Sequence, residues 1–243
     1  MESSCKNGNK TRSACSREIV MDFEQMQDYD EVLWLLNGIR THSTRKEPET
    51  ALWAKSIGDG VLYDVGANIG AYSLIAAQKN PRLQVCAFEP NYSNFYALTE
   101  NILKNGLLRI RPFLIALSKS SGFDTFNYAS RDMGAALSAL GEPIDYKGEV
   151  FSPALKMTVP CFSIGDLVQT YGFPAPTHIK LDVDSIEPDI LEGAAPVLGG
   201  VVSVLVEANK YQFKRVNGVM RSHSFRLIQR VERSQSDNLI YEK

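Results

Sequence analysis

From residue 61 onward the chain alternates short β-prone apolar runs with stretches whose apolar positions recur every three or four residues. VLYDV (61–65), LQVCAFE (83–89), PFLIALS (112–118), THIKLDV (177–183) and VVSVLVE (201–207) read as buried strands. Between them AYSLIAAQK (71–79), SNFYALTENILKN (93–105) and PDILEGAAPVL (188–198) read as helices. In the second helix Phe95, Leu98 and Ile102 share a face while Glu100 and Lys104 turn to water; in the third, Ile190, Leu191, Ala194, Val197 and Leu198 do the same on the buried side. Residues 225–231 and 239–241 read as a closing hairpin. Alternation of this kind predicts an α/β fold, a doubly wound parallel sheet with helices on both faces. The stretch from Ser118 to Lys156, rich in Gly, Ser and Pro, breaks the rhythm and is expected to be an irregular insert of the sort that carries specificity.

Upstream of residue 61 the pattern changes. Residues 1–20 hold basic residues but no apolar core of the kind a secretory signal needs, and read as a disordered leader. Residues 21–60 read as a helical extension, with an apolar cluster at Val32 to Leu36 and a second segment, Glu47 to Ile57, in which Pro48 suits a first helical turn. The remaining 61–243 form the expected catalytic domain. The 26 Lys and Arg against 28 Asp and Glu leave a formal charge of −2, which calls for neither nucleic acid nor membrane as an obligatory partner. No apolar run approaches the roughly 18 residues of a membrane span. Four cysteines (Cys5, Cys15, Cys86, Cys161) lack CxxC spacing, and two of them fall in expected strands, a pattern that fits a reducing, cytoplasmic setting.

The chemistry is concentrated where the first strand gives way to the first helix. Asp64, Gly66, Ala67, Asn68 and Gly70 lie in that turn, at the sheet edge where open α/β folds bind ligands. A dinucleotide fingerprint would place a glycine where this chain has Asn68, so that the backbone could approach a pyrophosphate; Asp64 just upstream would repel one. S-adenosylmethionine has no phosphate and carries an ammonium and a sulfonium, so the same carboxylate suits it. Glu89, at the end of the second strand, occupies the position from which an acidic residue accepts both hydroxyls of a ribose. A glycine pair in such a turn can be a tight bend and a strand-end Glu can be merely solvated. Their occurrence together, in this order, favours the cofactor.

YDVGANIGAYSL, FEPNYSNFYALTENILKNGL, IALS and HIKLDVDSIEPDILEGA, preceded by KEPET, together resemble the FkbM family of methyltransferases over roughly residues 45 to 243. The resemblance implies the class I methyltransferase fold, seven strands with the last antiparallel, and O-methylation of a hydroxyl on a small molecule or glycan. It implies cofactor contacts at Asp64, Gly66, Ala67, Asn68, Gly70 and Glu89, with an adenine contact near Ala116. The chain departs from the family pattern at Ser185, where Gly is usual, and at Leu137 to Ser138, where a His is frequent.

Carboxylates gather downstream. Asp182 ends the fourth strand, Asp184 and Glu187 follow it, and Glu207 ends the fifth. A hydroxyl acceptor must lose its proton as it attacks, and a positioned base (typically about 100- to 10,000-fold) or a bound divalent metal can assist. Asp182 fits either role, with Glu207 as second catalytic candidate and Asp184 and Glu207 as further oxygen donors to a metal. Asp184 and Glu187 also suit the positive end of the helix beginning at Pro188. His178 lies about 13 Å from Asp182 at ~3.3 Å per strand residue and reads as structural; His42 and His223 fall outside any motif. Lys210, Lys214, Arg215, Arg221, Arg226, Arg230 and Arg233 against Glu232 make a basic stretch, expected to be the wet face of a half-buried strand. Two rival readings remain: an NAD-dependent oxidoreductase, and a degenerate cofactor-binding module without turnover, suggested by Ser185.

Overall fold

The alternation from residue 61 is realised as a seven-stranded sheet in the computed structural model, which describes residues 47–145, 147–234 and 236–243. The expected leader (1–20) and the Val32 to Leu36 cluster lie outside the described residues. Helix α1 (Pro48–Ser56) carries Pro at its start, as the sequence suggests. Then come β1 (Val61–Val65), α2 (Ala71–Lys79), β2 (Gln84–Phe88), α3 (Tyr92–Asn105) and β3 (Ile110–Phe113). After an intervening segment the pattern resumes with α4 (Ile164–Gln169), β8 (His178–Leu181), α5 (Glu187–Ala194), β9 (Ser203–Asn209), α6 (Phe213–Ser222), β10 (Arg226–Val231) and β11 (Ser236–Glu242). The order across the sheet is β10-β11-β9-β8-β1-β2-β3. All pairings are parallel except those of β11, which runs antiparallel to both β9 and β10.

Strict alternation of side chains divides the core. Leu62, Val85, Ala87 and Ile110 face a cluster with Trp53 of α1, Leu74 of α2 and Leu98 of α3. Tyr63, Val65, Cys86, Phe88, Ile179 and Leu181 face the other, with Ile164, Leu191 and Val216 of α4, α5 and α6. Each two-sided strand is thus buried on both faces, which is why these runs are nearly continuous in apolar residues. Helix α3 is fixed at both ends: Asn91 accepts from the N–H groups of Ser93 and Asn94, and Gly106, at φ 63°, closes it. Cys86 and Cys161 are buried free thiols. Among the described residues no helix is long and apolar enough to cross a membrane.

Two expectations need correction. The run PFLIALS is two strands: β3 stays in the main sheet, and β4 (Ala116–Leu117) leaves it. The stretch from 118 to 156 is largely ordered as a second sheet, β4-β7-β5-β6, with β5 (Gly122–Tyr128), β6 (Ala139–Leu140) and β7 (Leu155–Phe162). Its small core holds Ala116, Phe126, Tyr128, Val159 and Cys161. β5 begins with exposed residues and the first half of β7 is largely exposed, so the hydrophobic signal of this sheet is weaker than that of the two-sided strands.

Candidate functional site

The chain moves outward from β1 to β2 and β3 on one side, then returns to β8 on the other, so the C-terminal ends of β1 and β8 border the crevice where strand order reverses. At this point β1 leads into the turn Gly66-Ala67-Asn68-Ile69-Gly70. The N–H groups of Gly66 and Ala67 both donate to Phe88 O at 3.0 Å, pinning the turn against β2. Gly66 has φ 74°, and a Cβ there would stand 1.9 Å from the carbonyl oxygen of Asp182, so the glycine permits the β1 and β8 loops to touch. Asn68 takes φ 50° where a dinucleotide site would use glycine.

Three of the sequence candidates converge on this turn. Asp64 is buried; its Oδ2 accepts from Ser73 Oγ at 2.6 Å, and its Oδ1 has no hydrogen-bond donor among the described residues. Asn68 Oδ1 is likewise buried without a donor among them. Glu89 accepts the N–H of Asn68 on Oε2 at 2.7 Å and the N–H of Asn91 on Oε1 at 2.9 Å, and the Asn94 side chain also stabilises its carboxylate. Burial pushes Glu89 up to about 7, against the opposing pull of those two N–H groups. Ala116 lies apart, in an apolar cleft of about 330 Å³ counting the space open to solvent, whose walls include Gly66, Phe88, Pro90, Phe126 and Leu140. The second sheet thus supplies one wall.

Across the crevice stands the acidic group. Asp182 follows β8; Glu207 lies within β9, which runs on to Asn209. Sequence reasoning overlooked three neighbours. Lys180, 2% exposed, places Nζ 3.0 Å from Asp182 Oδ2 and 3.6 Å from Asp64 Oδ1. The same ammonium sits 5.2 Å from the centroid of the Tyr72 ring. Tyr72 donates its hydroxyl to Glu47 Oε2 at 2.7 Å, which brings the residue preceding α1 into the group. Burial alone would lower the Lys180 pKa, but the charges of Asp182 and Asp64 outweigh it and hold it above the ordinary lysine range. The Asp182 charge, then burial, lift Glu207 well above the usual carboxylate range, and Ser236 Oγ donates to its Oε1. The signal for Lys180 was present in HIKLD: period-two alternation places Lys180 and Asp182 on one face, and a lysine inside a doubly buried strand demands an anionic partner.

Asp184 and Glu187 point elsewhere. Asp184 accepts the N–H of Leu137 at 2.7 Å, and burial followed by the Asp182 charge pushes it up to about 7. Glu187 accepts from Val183 N at 3.2 Å and from Gln212 Nε2 at 2.8 Å; burial pushes it also up to about 7. With Leu137, Glu207, Asn209, Gln212 and Ser236 they line a polar pocket beside the crevice. The metal site expected from Asp182, Asp184 and Glu207 is not formed: among the described residues no three His, Cys, Asp or Glu side chains are placed to hold an ion. Asp184 is turned toward the Leu137 backbone and Asp182 is paired with Lys180. Ser185 is outside the left-handed region, which Asp184 occupies instead at φ 72°, so a side chain replaces the family's Gly there without backbone strain. His178 bonds Ser203 at 3.1 Å at the opposite end of β8, a structural contact as expected. In the basic stretch Arg215 pairs with Asp189 and Glu192, Arg230 with Asp237, and Arg233 with Glu49.

This strand order and switch-point site define a class I, Rossmann-like methyltransferase fold. Residues 64–227 match the methyltransferase FkbM domain, and the chain belongs to that family. Over 150 residues it is 34% identical to the hexuronic acid methyltransferase AglP of Haloferax volcanii, covering 61% of this chain and 56% of that protein. Over 153 residues it is 26% identical to the methyltransferase sdnD of Sordaria araneosa, covering 54% and 59%. The chain therefore matches less than two thirds of the length of either relative. Among solved structures, a precorrin-6y C5,15-methyltransferase from Geobacter metallireducens superposes with a TM-score of 0.50 at 11% identity, over 80% of this chain and 86% of that one, a likeness of fold alone.

Proposed function

We propose that the chain transfers the methyl group of S-adenosylmethionine to a hydroxyl oxygen of a small molecule or glycan. The observation that carries this reading is the pair of buried oxygens Asp64 Oδ1 and Asn68 Oδ1, on either side of the Gly66-Ala67 turn, which accept no hydrogen bond among the described residues, Asp64 Oδ1 having only the Lys180 ammonium at 3.6 Å. A ligand bearing an ammonium and hydroxyls satisfies them; a pyrophosphate does not, and with it the NAD reading loses its footing. In this reading Asp64 meets the cofactor's ammonium, Glu89 accepts from the ribose hydroxyls, and the apolar cleft at Ala116 takes the adenine. The turn residues Gly66, Ala67, Asn68 and Gly70 let the backbone follow the cofactor closely.

The bound cofactor supplies an electrophilic methyl on a cationic sulfur. Asp182 would take the acceptor's hydroxyl proton, while the cofactor, held by Asp64, Asn68 and Glu89, would supply the methyl group and leave as its thioether. Glu207, whose pKa is raised by the Asp182 charge and by burial, lies on the neighbouring strand and lines the same pocket. Positioning of donor and acceptor supplies most of the rate, on the order of 7 to 11 kcal/mol where alignment is good. The polar pocket of Asp184, Glu207, Asn209, Gln212 and Ser236 suits a hydroxyl-rich acceptor. The pairing of Arg215, Arg230 and Arg233 with carboxylates weakens the case for a nucleic-acid acceptor. Calorimetric titration with S-adenosylmethionine, followed by transfer of its labelled methyl group into a metabolite extract, tests the reading. A folded protein that binds no cofactor would refute it, and binding without any labelled product would favour the degenerate module.

A further inference from the structure

We propose that the Lys180 ammonium is the resident cation of this site, a positioning residue standing where a divalent metal would otherwise bridge Asp64 and Asp182. The inference rests on the proposed function for the meaning of the two carboxylates, but its geometry is independent of it. Four acids reach this region from separate elements: Glu47 ahead of α1, Asp64 on β1, Asp182 after β8 and Glu207 on β9. Buried carboxylates in such company need a cation or protons.

Lys180 meets that need from within the sheet. It is register-paired with Asp64 across β1 and β8, and it shares a strand face with Asp182 two residues on, so its ammonium falls between the cofactor-side and acceptor-side carboxylates. Its contacts run to Asp182 at 3.0 Å, Asp64 at 3.6 Å and the Tyr72 ring at 5.2 Å. Mg²⁺ or Mn²⁺ bridging the same oxygens would have to approach each to about 2.0–2.2 Å, inside the volume the ammonium fills. An ammonium on a four-carbon stem cannot be diluted away as a free ion can, so Asp182 stays aimed into the crevice whether or not cofactor is bound. Methyl transfer in this chain then needs no added metal.

The test uses the full chain with Mn²⁺ alone as probe, measured by calorimetry and by electron paramagnetic resonance. The wild type is expected to show no Mn²⁺ binding that depends on Asp182. Lys180→Met is expected to bind Mn²⁺ at least about 10-fold more tightly than the wild type, Lys180→Met/Asp182→Asn to lose that gain, and Lys180→Arg to behave as the wild type; rescue by Arg is a result that a mere packing role would not produce. If Lys180→Met does not fold alone, refolding in Mn²⁺ is expected to recover it, and the double variant is expected to fold without metal. An Asp182-dependent Mn²⁺ site in the wild type, or a Lys180→Met chain that neither gains Mn²⁺ nor is recovered by it, overturns the inference. Titration of each folded variant with S-adenosylmethionine keeps the two proposals apart: a wild type that binds no cofactor refutes the function and leaves the Mn²⁺ result standing.

Discussion

The N–H of Leu137 donates to Asp184 Oδ2 at 2.7 Å, and both residues sit in the left-handed region, at φ 66° and 72°. This one bond joins the insert, at a place where the chain departs from its family's pattern, to the acidic motif one residue before the other departure, Ser185. A non-glycine residue held there costs on the order of 1–3 kcal/mol, which surrounding contacts must offset. Asp184→Ala removes the acceptor and is expected to lower stability by about 1 kcal/mol and to expose the 130–138 loop to protease, while Asp184→Asn keeps most of both. Equal cleavage rates in the Ala variant and the wild type would show that the loop is held by other contacts, such as those of Asn94 to Gly134 and Ala135.

Glu89→Gln is expected to weaken S-adenosylmethionine binding by roughly 10- to 150-fold, the equivalent of the 1.5–3 kcal/mol typical of a charge-assisted hydrogen bond, and to lower the melting temperature without unfolding the chain, because the amide nitrogen cannot accept one of the two backbone N–H groups that Glu89 now receives. Calorimetry on both proteins decides it. Unchanged affinity in a folded variant would place the ribose elsewhere.

Much of this was legible in sequence for a physical reason. Strands buried on both faces and helices with a single apolar stripe impose strong periodicities, so β1, β2, β8, β9, α2 and α3 follow directly from the pattern, and Gly66 and Glu89 are read from their places at strand ends. The second sheet was not legible, because β5 and β7 are half exposed and their partners lie across long loops. Glu47 and Tyr72 were missed for a different reason: their place beside Asp182 is created by helices packing over the crevice, which local spacing does not record, whereas Lys180 was overlooked although its period-two spacing from Asp182 puts the two on one face. Nor does spacing reveal that Asp184 turns to a backbone N–H of the insert and away from Asp182.

The buried acids predict how stability varies with pH. Glu89 and Glu187 have folded-state values near 7 against 4.5 for the free side chains. Between those limits the native state holds protons that the unfolded chain has released, so the stability from these groups is complete below about pH 4 and is lost as pH rises through 7. The protein without cofactor is therefore expected to melt at a lower temperature at pH 8 than at pH 5.5, and Glu187→Gln to flatten the slope. Cofactor binding uses ionised Glu89 and should weaken as pH falls below about 7. A melting temperature that rises steadily from pH 5.5 to 8 would contradict the burial of these groups.

Gly66→Ala places a methyl 1.9 Å from a backbone oxygen, at a φ that alanine tolerates poorly. Since the obstacle is backbone, the β1 and β8 loops must separate, and a loss of about 2–4 kcal/mol is expected, with cofactor binding abolished. Thermal melting and titration together check it. A wild-type melting temperature would mean that the loops are not in contact.

The last expectation concerns the charge of the acceptor. The polar pocket presents Asp184, Glu187 and Glu207 beside Asn209, Gln212 and Ser236, and among the described residues no Lys or Arg lines it. Even with some of these carboxyls protonated, an incoming carboxylate finds acceptors and amides but no cation, and one unit charge about 4–5 Å from another costs roughly 3–4 kcal/mol near a protein surface. A neutral hydroxyl-rich acceptor, or one bearing an amine, meets hydrogen-bond acceptors that suit it. Although one relative is named for hexuronic acid, this chain is expected to methylate a neutral hexopyranoside with kcat/KM at least about 10-fold above that for the matching hexuronate. Gln212→Arg, which adds a cation to the pocket wall, should narrow that ratio. The measurement is labelled-methyl transfer to each of the paired sugars; a preference for the hexuronate in the wild type would mean that the acceptor lies outside this pocket, and that its carboxylate is met by basic groups not among these walls.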